Sequence, residues 1–153
     1  MTTGVTPNAK HHEDLDPLAS RFVQVSEMPW EKTKFPGVEA KTLFLDKPRG
    51  HVTVLLRMEP GAIIPDHEHV QVEQTYMLEG RLVDKEGPDK GRECGPGDFV
   101  WRPGGSRHVA WAPEGGLMIA IFQVPNKFFE QDGKVVDMLD QDWNQNWKSA
   151  AAD

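Results

Sequence analysis

The chain has 153 residues, enough for one domain with one core, and its 17 Lys plus Arg against 24 Asp plus Glu leave a net charge of −7. That sign argues against nucleic acid or an anionic membrane as a partner, because both are bound by clustered cations. Five Trp and seven Phe supply apolar surface that disordered chains lack, and the single cysteine, Cys94, excludes an intramolecular disulfide and a multi-thiolate zinc site, as suits a reducing, cytoplasmic compartment.

Residues 1–20 are polar, hold two prolines and lack the apolar core of a secretion signal, so a mobile N-terminal arm is expected there. His11 and His12 lie within it as bystanders. A single domain is expected over residues 21–153, since no repeat, low-complexity tract or linker divides them. From Arg21 the pattern becomes short β-branched and aromatic runs: Phe22–Val25, Lys41–Leu45, His51–Met58, Glu73–Leu82, Phe99–Arg102, His108–Trp111 and Leu117–Val124. Gly and Pro punctuate them at Pro36-Gly37, Pro60-Gly61, Gly87-Pro88, Gly95-Pro96-Gly97, Pro103-Gly104-Gly105 and Gly115-Gly116. Short strands at this spacing predict an all-β fold, an antiparallel sandwich or barrel. The longest apolar runs, Val52–Leu56 and Leu117–Phe122, are far shorter than the roughly 20 residues a membrane helix needs.

Near the C-terminus, Asp132-Gly133 between Phe128-Phe129 and Val135-Val136 predicts a hairpin. Leu139, Trp143 and Trp147 then recur every four residues behind Asp137 and Asp140, which predicts a short amphipathic helix packing on the barrel or on a partner subunit.

The chemistry concentrates in two segments. In the first, Gly61 to Gly80, His67 and His69 stand two apart, which in a strand puts both imidazoles on one face, and Glu73 follows. A straight chain would separate residues 67 and 73 by roughly 20 Å, too far to share an ion. The chain must therefore turn within Val70-Gln71-Val72 if all three are ligands, and a hairpin there would return Glu73 to the histidines. In the second, Gly97 to His108, a short strand and a Pro-Gly-Gly turn precede His108. His108 is far from His69 along the chain, so only a closed β-architecture brings them together. Three imidazoles and one carboxylate suit a divalent transition metal, Fe(II), Mn(II), Ni(II) or Zn(II), rather than Ca or Mg.

These segments match the paired motifs of the cupin superfamily, Gly-x5-His-x-His-x3,4-Glu-x6-Gly and Gly-x5-Pro-x-Gly-x2-His-x3-Asn, except that Ala112 stands at the final Asn position. Sixteen residues, Arg81–Pro96, separate them. The resemblance implies a single jelly-roll β-barrel holding one metal inside on His67, His69, Glu73 and His108. Pro29-Trp30, Pro36-Gly37-Val38-Glu39-Ala40-Lys41 and Tyr76-Met77-Leu78-Glu79-Gly80 resemble the cupin domain of ChrR-type anti-sigma factors. The stretch Asn126 to Val135, with the Trp-bearing segment after it, is similar to the acetylacetone-cleaving dioxygenases, in which three histidines suffice and the corresponding acid does not bind. Glu73 is thus open to three roles: ligand, partner of a ligand, or catalytic base.

Thr75 and Met77 after Glu73, and Ala110 after His108, share the local face of the ligands and are expected to wall the substrate pocket. Arg102, Arg107, Tyr76 and Trp111 are further candidates whose facing the sequence leaves open. His51 reads as a structural or surface histidine and Cys94 as a passive residue. The resemblance favours an Fe(II) dioxygenase that cleaves a carbon–carbon bond in a small β-dicarbonyl or similar enolisable substrate. A metal-binding regulatory or sensory module and a non-redox Lewis-acid enzyme stand as the alternatives, with a homodimer expected from the exposed sheet edges.

Overall fold

The computed structural model describes residues 2–123, 127–129 and 135–137. Its strands are β1 (Glu31–Lys32), β2 (Val38–Asp46), β3 (His51–Met58), β4 (Ala62–Glu68), β5 (Glu73–Gly80), β6 (Leu82–Glu86), β7 (Glu93–Cys94), β8 (Phe99–Arg102), β9 (Arg107–Ala112), β10 (Gly116–Gln123), β11 (Lys127–Phe129) and β12 (Val135–Asp137). They form two six-stranded antiparallel sheets in the orders β1-β2-β3-β10-β5-β8 and β12-β11-β4-β9-β6-β7. Among the described residues no helix is long and apolar enough to cross a membrane.

Alternation with a period of two builds the core between the sheets. Val52, Val54, Leu56 and Met58 of β3 point inward beside Met118, Ala120 and Phe122 of β10, and Ala62, Ile64, Ala110 and Ala112 come from the facing sheet. Full burial of each large member stabilises the fold by about 1.5–3 kcal/mol relative to exposure. Ala110 and Ala120 matter for a different reason: their short side chains line a cavity between the layers.

Several expectations are corrected. Phe22–Val25 is not a strand: Phe22 is exposed and Val25–Glu27 form a 3₁₀ turn. The carbonyls there bond locally and to side chains, Val25 accepting from Lys41 Nζ at 2.8 Å and Phe22 contacting His12 Nε2 at 3.0 Å, so no neighbouring strand is needed. The run Glu73–Leu82 is two strands in different sheets, broken where Gly80 adopts φ of +72° against the backbone of Gly115. The chain does turn at Val70-Gln71, but β4 and β5 do not pair. The turn carries the chain from one sheet to the other, which closes the barrel around the histidines.

Within the expected arm, Val5 forms a bridge with Leu45 of β2, Thr3 Oγ1 donates to Asp46 Oδ1 at 2.7 Å, and Thr6 Oγ1 donates to the Leu43 carbonyl at 2.6 Å. The strands of the expected C-terminal hairpin, β11 and β12, pair antiparallel. Its Asp132-Gly133 turn and the expected helix with Leu139, Trp143 and Trp147 lie outside the described residues.

Candidate metal centre

His67 and His108 lie opposite each other in the register of β4 against β9. His69, one residue beyond the end of β4, is clasped by the turn before β9: its N–H donates to the Ser106 carbonyl at 2.9 Å and its own carbonyl accepts from the Gly105 N–H at 2.6 Å. Gly105 holds φ of +85°, a conformation that costs other residues about 1–2 kcal/mol. The Pro-Gly-Gly turn of the second motif thus sets both His69 and His108.

The three imidazoles are buried, with one ligating atom of each falling within 4.8 Å of the others. His69 Nε2 and His108 Nε2 are 3.1 Å apart. Each Nδ1 faces an oxygen: His67 the Pro65 carbonyl at 2.7 Å, His69 the Glu73 Oε2 at 3.1 Å, and His108 the Asp84 Oδ1 at 3.3 Å. The Pro65 carbonyl and the Asp84 carboxylate accept hydrogen bonds, so the His67 and His108 protons belong on Nδ1 and their Nε2 lone pairs are left to coordinate, while the Glu73 contact to His69 Nδ1 is a close approach without hydrogen-bond geometry. The 3.1 Å between the Nε2 atoms of His69 and His108 is also the spacing that metal–nitrogen bonds of about 2.1 Å produce between neighbouring ligands. The donor set therefore fits a divalent transition metal. Burial, reinforced by the imidazoles of His108 and His69, pulls the His67 pKa down to about 3, so this ring stays neutral and able to ligate.

Behind the imidazoles lie charged residues that sequence reasoning did not assign. Arg102 of β8 points inward and donates from Nη1 and Nη2 to Asp84 Oδ2 and Oδ1, both at 2.7 Å. Burial alone would raise the Asp84 carboxyl, but hydrogen bonds from His108 and Arg102, with the Arg102 charge, hold it at about 2. Glu73 lines the cavity: Oε2 faces His69, and Oε1 accepts from Thr75 Oγ1 at 3.2 Å and lies 3.9 Å from Arg102 Nε.

Of the residues with open facing, Arg102 turns inward, while Arg107 pairs outward with Asp66, Trp111 lies under Lys85 Nζ and Tyr76 is exposed. Asp84 carried no sequence signal, being one acid in a short strand. Strand alternation puts Arg102 on the face opposite Phe99 and Trp101, but which face turns inward emerges only from the fold, where Phe99 and Trp101 are the exposed positions of β8.

A cavity of about 30 Å³, room for a couple of water molecules, adjoins His67, His108 and Glu73. Its wall includes the expected Thr75 and Ala110, with Leu56, Met118, Ala120 and Phe122. Met77 is fully buried in the core and is not among the lining residues. His51 is exposed beside Gln123, away from the cluster. Cys94 is buried, and burial followed by the Asp98 charge pushes its thiol up, away from reactivity.

A family model described as the ChrR cupin-like domain matches residues 19–127. The chain belongs to the ChrR cupin-like family. No curated protein sequence matches this cupin. Solved structures extend the likeness in fold. A candidate acetylacetone dioxygenase from Methylibium petroleiphilum PM1 superposes with a TM-score of 0.69 at 19% identity, covering 80% of this chain and 92% of that one. An acetylacetone dioxygenase from Acinetobacter johnsonii gives 0.65 at 17% identity over 80% and 87%. The polyketide cyclase RemF from Streptomyces resistomycificus gives 0.57 at 20% over 69% and 80%. The fold is thereby shared by dioxygenases and a polyketide cyclase alike.

Proposed function

We propose that this cupin is an Fe(II)-dependent dioxygenase that cleaves a carbon–carbon bond in a small β-dicarbonyl or similarly enolisable substrate. The observation that carries the reading is the triad itself: three buried imidazoles, each with Nδ1 set against an oxygen, beside a small apolar-walled cavity. His67, His69 and His108 would hold the metal, which when bound lowers the cost of forming an enolate and supplies the one-electron chemistry that dioxygen requires.

The protein's own residues select the ligand. Glu73 and Asp84 bring two negative charges and Arg102 one positive, so the surroundings of the triad carry −1. A divalent cation brings the total to +1, and a singly charged enolate closes it to neutrality in a site that excludes water. Leu56, Ile64, Met118 and Phe122 limit substrate size, and Glu73 sets a carboxylate 3.1 Å from His69. The products share both atoms of dioxygen between the two carbonyl fragments.

The family match favours a second reading, a sensory or regulatory cupin in which a statically held metal supports effector or partner binding. The test is anaerobic loading with Fe(II) and measurement of oxygen uptake with a panel of β-dicarbonyls. Substrate-dependent uptake that vanishes in the zinc-loaded protein and in His67→Ala supports the oxygenase. Uptake-free turnover that persists with zinc would support Lewis-acid chemistry instead, and a loaded protein inert to every substrate would support the sensory reading.

A further inference from the structure

The three imidazoles are 4%, 0% and 5% exposed and the space beside them holds only about 30 Å³, so an ion that reaches the folded protein needs a way in. Toward β3 and β10 the cavity wall is Leu56, Met118, Ala120 and Phe122, where a hydrated dication would lose its water with nothing to replace it. The side of β6 and β8 is different. Between β7 and β8, the last strands of their sheets, lies a cleft of about 480 Å³. Asp89, Arg92, Glu93 and Asp98 are exposed around it, and the buried Asp84 and Arg102 floor it. We propose that this cleft is the route by which a divalent metal ion enters the folded protein, with the Arg102–Asp84 pair as its gate. The route rests on the triad as the metal site and is independent of the reaction carried out there.

One layer of side chains separates the cleft from the triad. Leu82 lines both spaces. Asp84, on the cleft floor, reaches His108 Nδ1 at 3.3 Å, and Arg102 Nε lies 3.9 Å from Oε1 of Glu73, which lines the metal cavity. Carboxylates therefore stand at the rim, the floor and the cavity, in Asp98, Asp84 and Glu73, so an ion can exchange water for oxygen in steps. The charge of the cleft has the same sense. Its lining holds four carboxylates and two guanidiniums; Arg81 pairs with Glu93 from outside, and Asp89 lies 3.9 Å from Arg92. Asp98 is left with no ion pair among the described residues, and the cleft stays negative, drawing cations in and turning an anionic substrate away. The gate is singly tethered: both hydrogen bonds of Arg102 go to Asp84, and its Nε has none. A dication arriving at Asp84 competes for that carboxylate with twice the charge of the guanidinium and frees it to swing aside. Once the ion has passed to the triad, Arg102 closes again on Asp84.

The test uses the full chain, stripped with a chelator and then freed of it, with zinc alone as the probe. Uptake is followed by competition with a fluorescent zinc indicator, and release by mixing loaded protein with excess chelator. Asp98→Asn combined with Asp89→Asn should slow uptake about 10-fold at low ionic strength and slow release by the same factor, leaving the dissociation constant unchanged. Added salt should slow the unaltered protein towards that variant. Arg102→Lys, which replaces the two-pronged group by a point charge, should speed both rates. Asp89→Cys in a Cys94→Ala background tests the mouth without disturbing the floor: a trimethylammonium thiosulfonate adduct should slow uptake, and a sulfonate adduct of similar size should not. Equal rates in every variant and with both adducts overturn the proposal. So does a folded apoprotein that takes zinc only after unfolding and refolding, and so does a lowered affinity with an unchanged uptake rate, which would make the acids part of the site rather than of the way in. A protein that binds no zinc under any of these conditions would remove the triad as a metal site, and the route with it.

Discussion

Arg102 and Asp84 form a doubly bonded ion pair with both contacts at 2.7 Å and both side chains more than nine-tenths buried, and the same carboxylate receives the His108 Nδ1 proton. The pair links the packing of β8 to the orientation of a metal-facing imidazole. Asp84→Asn removes the countercharge and leaves a guanidinium buried without it. Such a change costs about 3–5 kcal/mol. Replacing both partners, Asp84→Leu with Arg102→Met, should recover most of that stability in urea unfolding yet leave zinc affinity reduced about 10–100-fold, because His108 has lost its acceptor.

Metal binding itself should depend on all three histidines. His67→Ala, His69→Ala and His108→Ala are each expected to lose stoichiometric metal by elemental analysis. In the unaltered protein, zinc at one hundred times its dissociation constant should add about 2.7 kcal/mol of stability, which a chelator removes. A triad variant whose melting temperature still rises with zinc would place the ion elsewhere.

Glu73 lies beside His69, with Oε2 at 3.1 Å from Nδ1 and Oε1 receiving the Thr75 hydroxyl at 3.2 Å. Binding a metal directly would draw the carboxylate away from these contacts. Glu73→Gln keeps the size of the side chain beside His69 and removes its charge. The variant should retain one equivalent of metal with affinity lowered by roughly 10–100-fold. Complete loss of metal, read by the same titration, would instead make Glu73 a ligand.

Much of this architecture was legible in the sequence because it rests on local chemistry. The glycine and proline punctuation marks real turns, and His67, His69 and His108 converge as the paired motifs imply. What was hidden depends on the sheet to which a strand belongs. Nothing local says that Gly80 ends one sheet's strand and Leu82 begins the other's, so Asp84 could not be placed behind His108. Nor could Arg102 be turned inward until Phe99 and Trp101 were known to face out. The Val70-Gln71 turn was required by distance, yet whether it joined paired strands or separate sheets was a long-range question.

Acid should destabilise the metal-free protein over a defined window. The folded His67 pKa of about 3 lies below the ordinary 6.5, so below pH 6.5 the unfolded chain binds a proton that the folded chain refuses. Stability therefore falls as pH drops from 6.5 towards 3, by on the order of 1 kcal/mol per pH unit. Asp84, held at about 2, extends the loss below pH 4, since its contribution is present above the ordinary carboxyl pKa and disappears as pH falls through the folded one. Urea midpoints of chelator-treated protein between pH 7 and 4 measure the slope. His67→Gln, which has no proton to refuse, should flatten it.

Two glycines with similar backbone angles separate strain from collision. Gly105, at φ of +85°, has nothing within 4 Å of where a Cβ would stand, so Gly105→Ala should cost only the left-handed backbone term, about 1–2 kcal/mol. Gly80, at +72°, would place its Cβ 2.1 Å from the Gly115 carbonyl oxygen and 2.6 Å from Gly116 Cα, both backbone atoms. No rotamer change relieves that contact. To accept Gly80→Ala, β5 and β10 would have to part where their pairing ends, just before the chain crosses to β6 and Asp84. The variant should unfold at markedly lower urea than Gly105→Ala and bind zinc more weakly, since β6 carries the acceptor of His108. Equal urea midpoints for the two alanine variants would mean that the Gly80–Gly115 approach is not what holds the crossing in place.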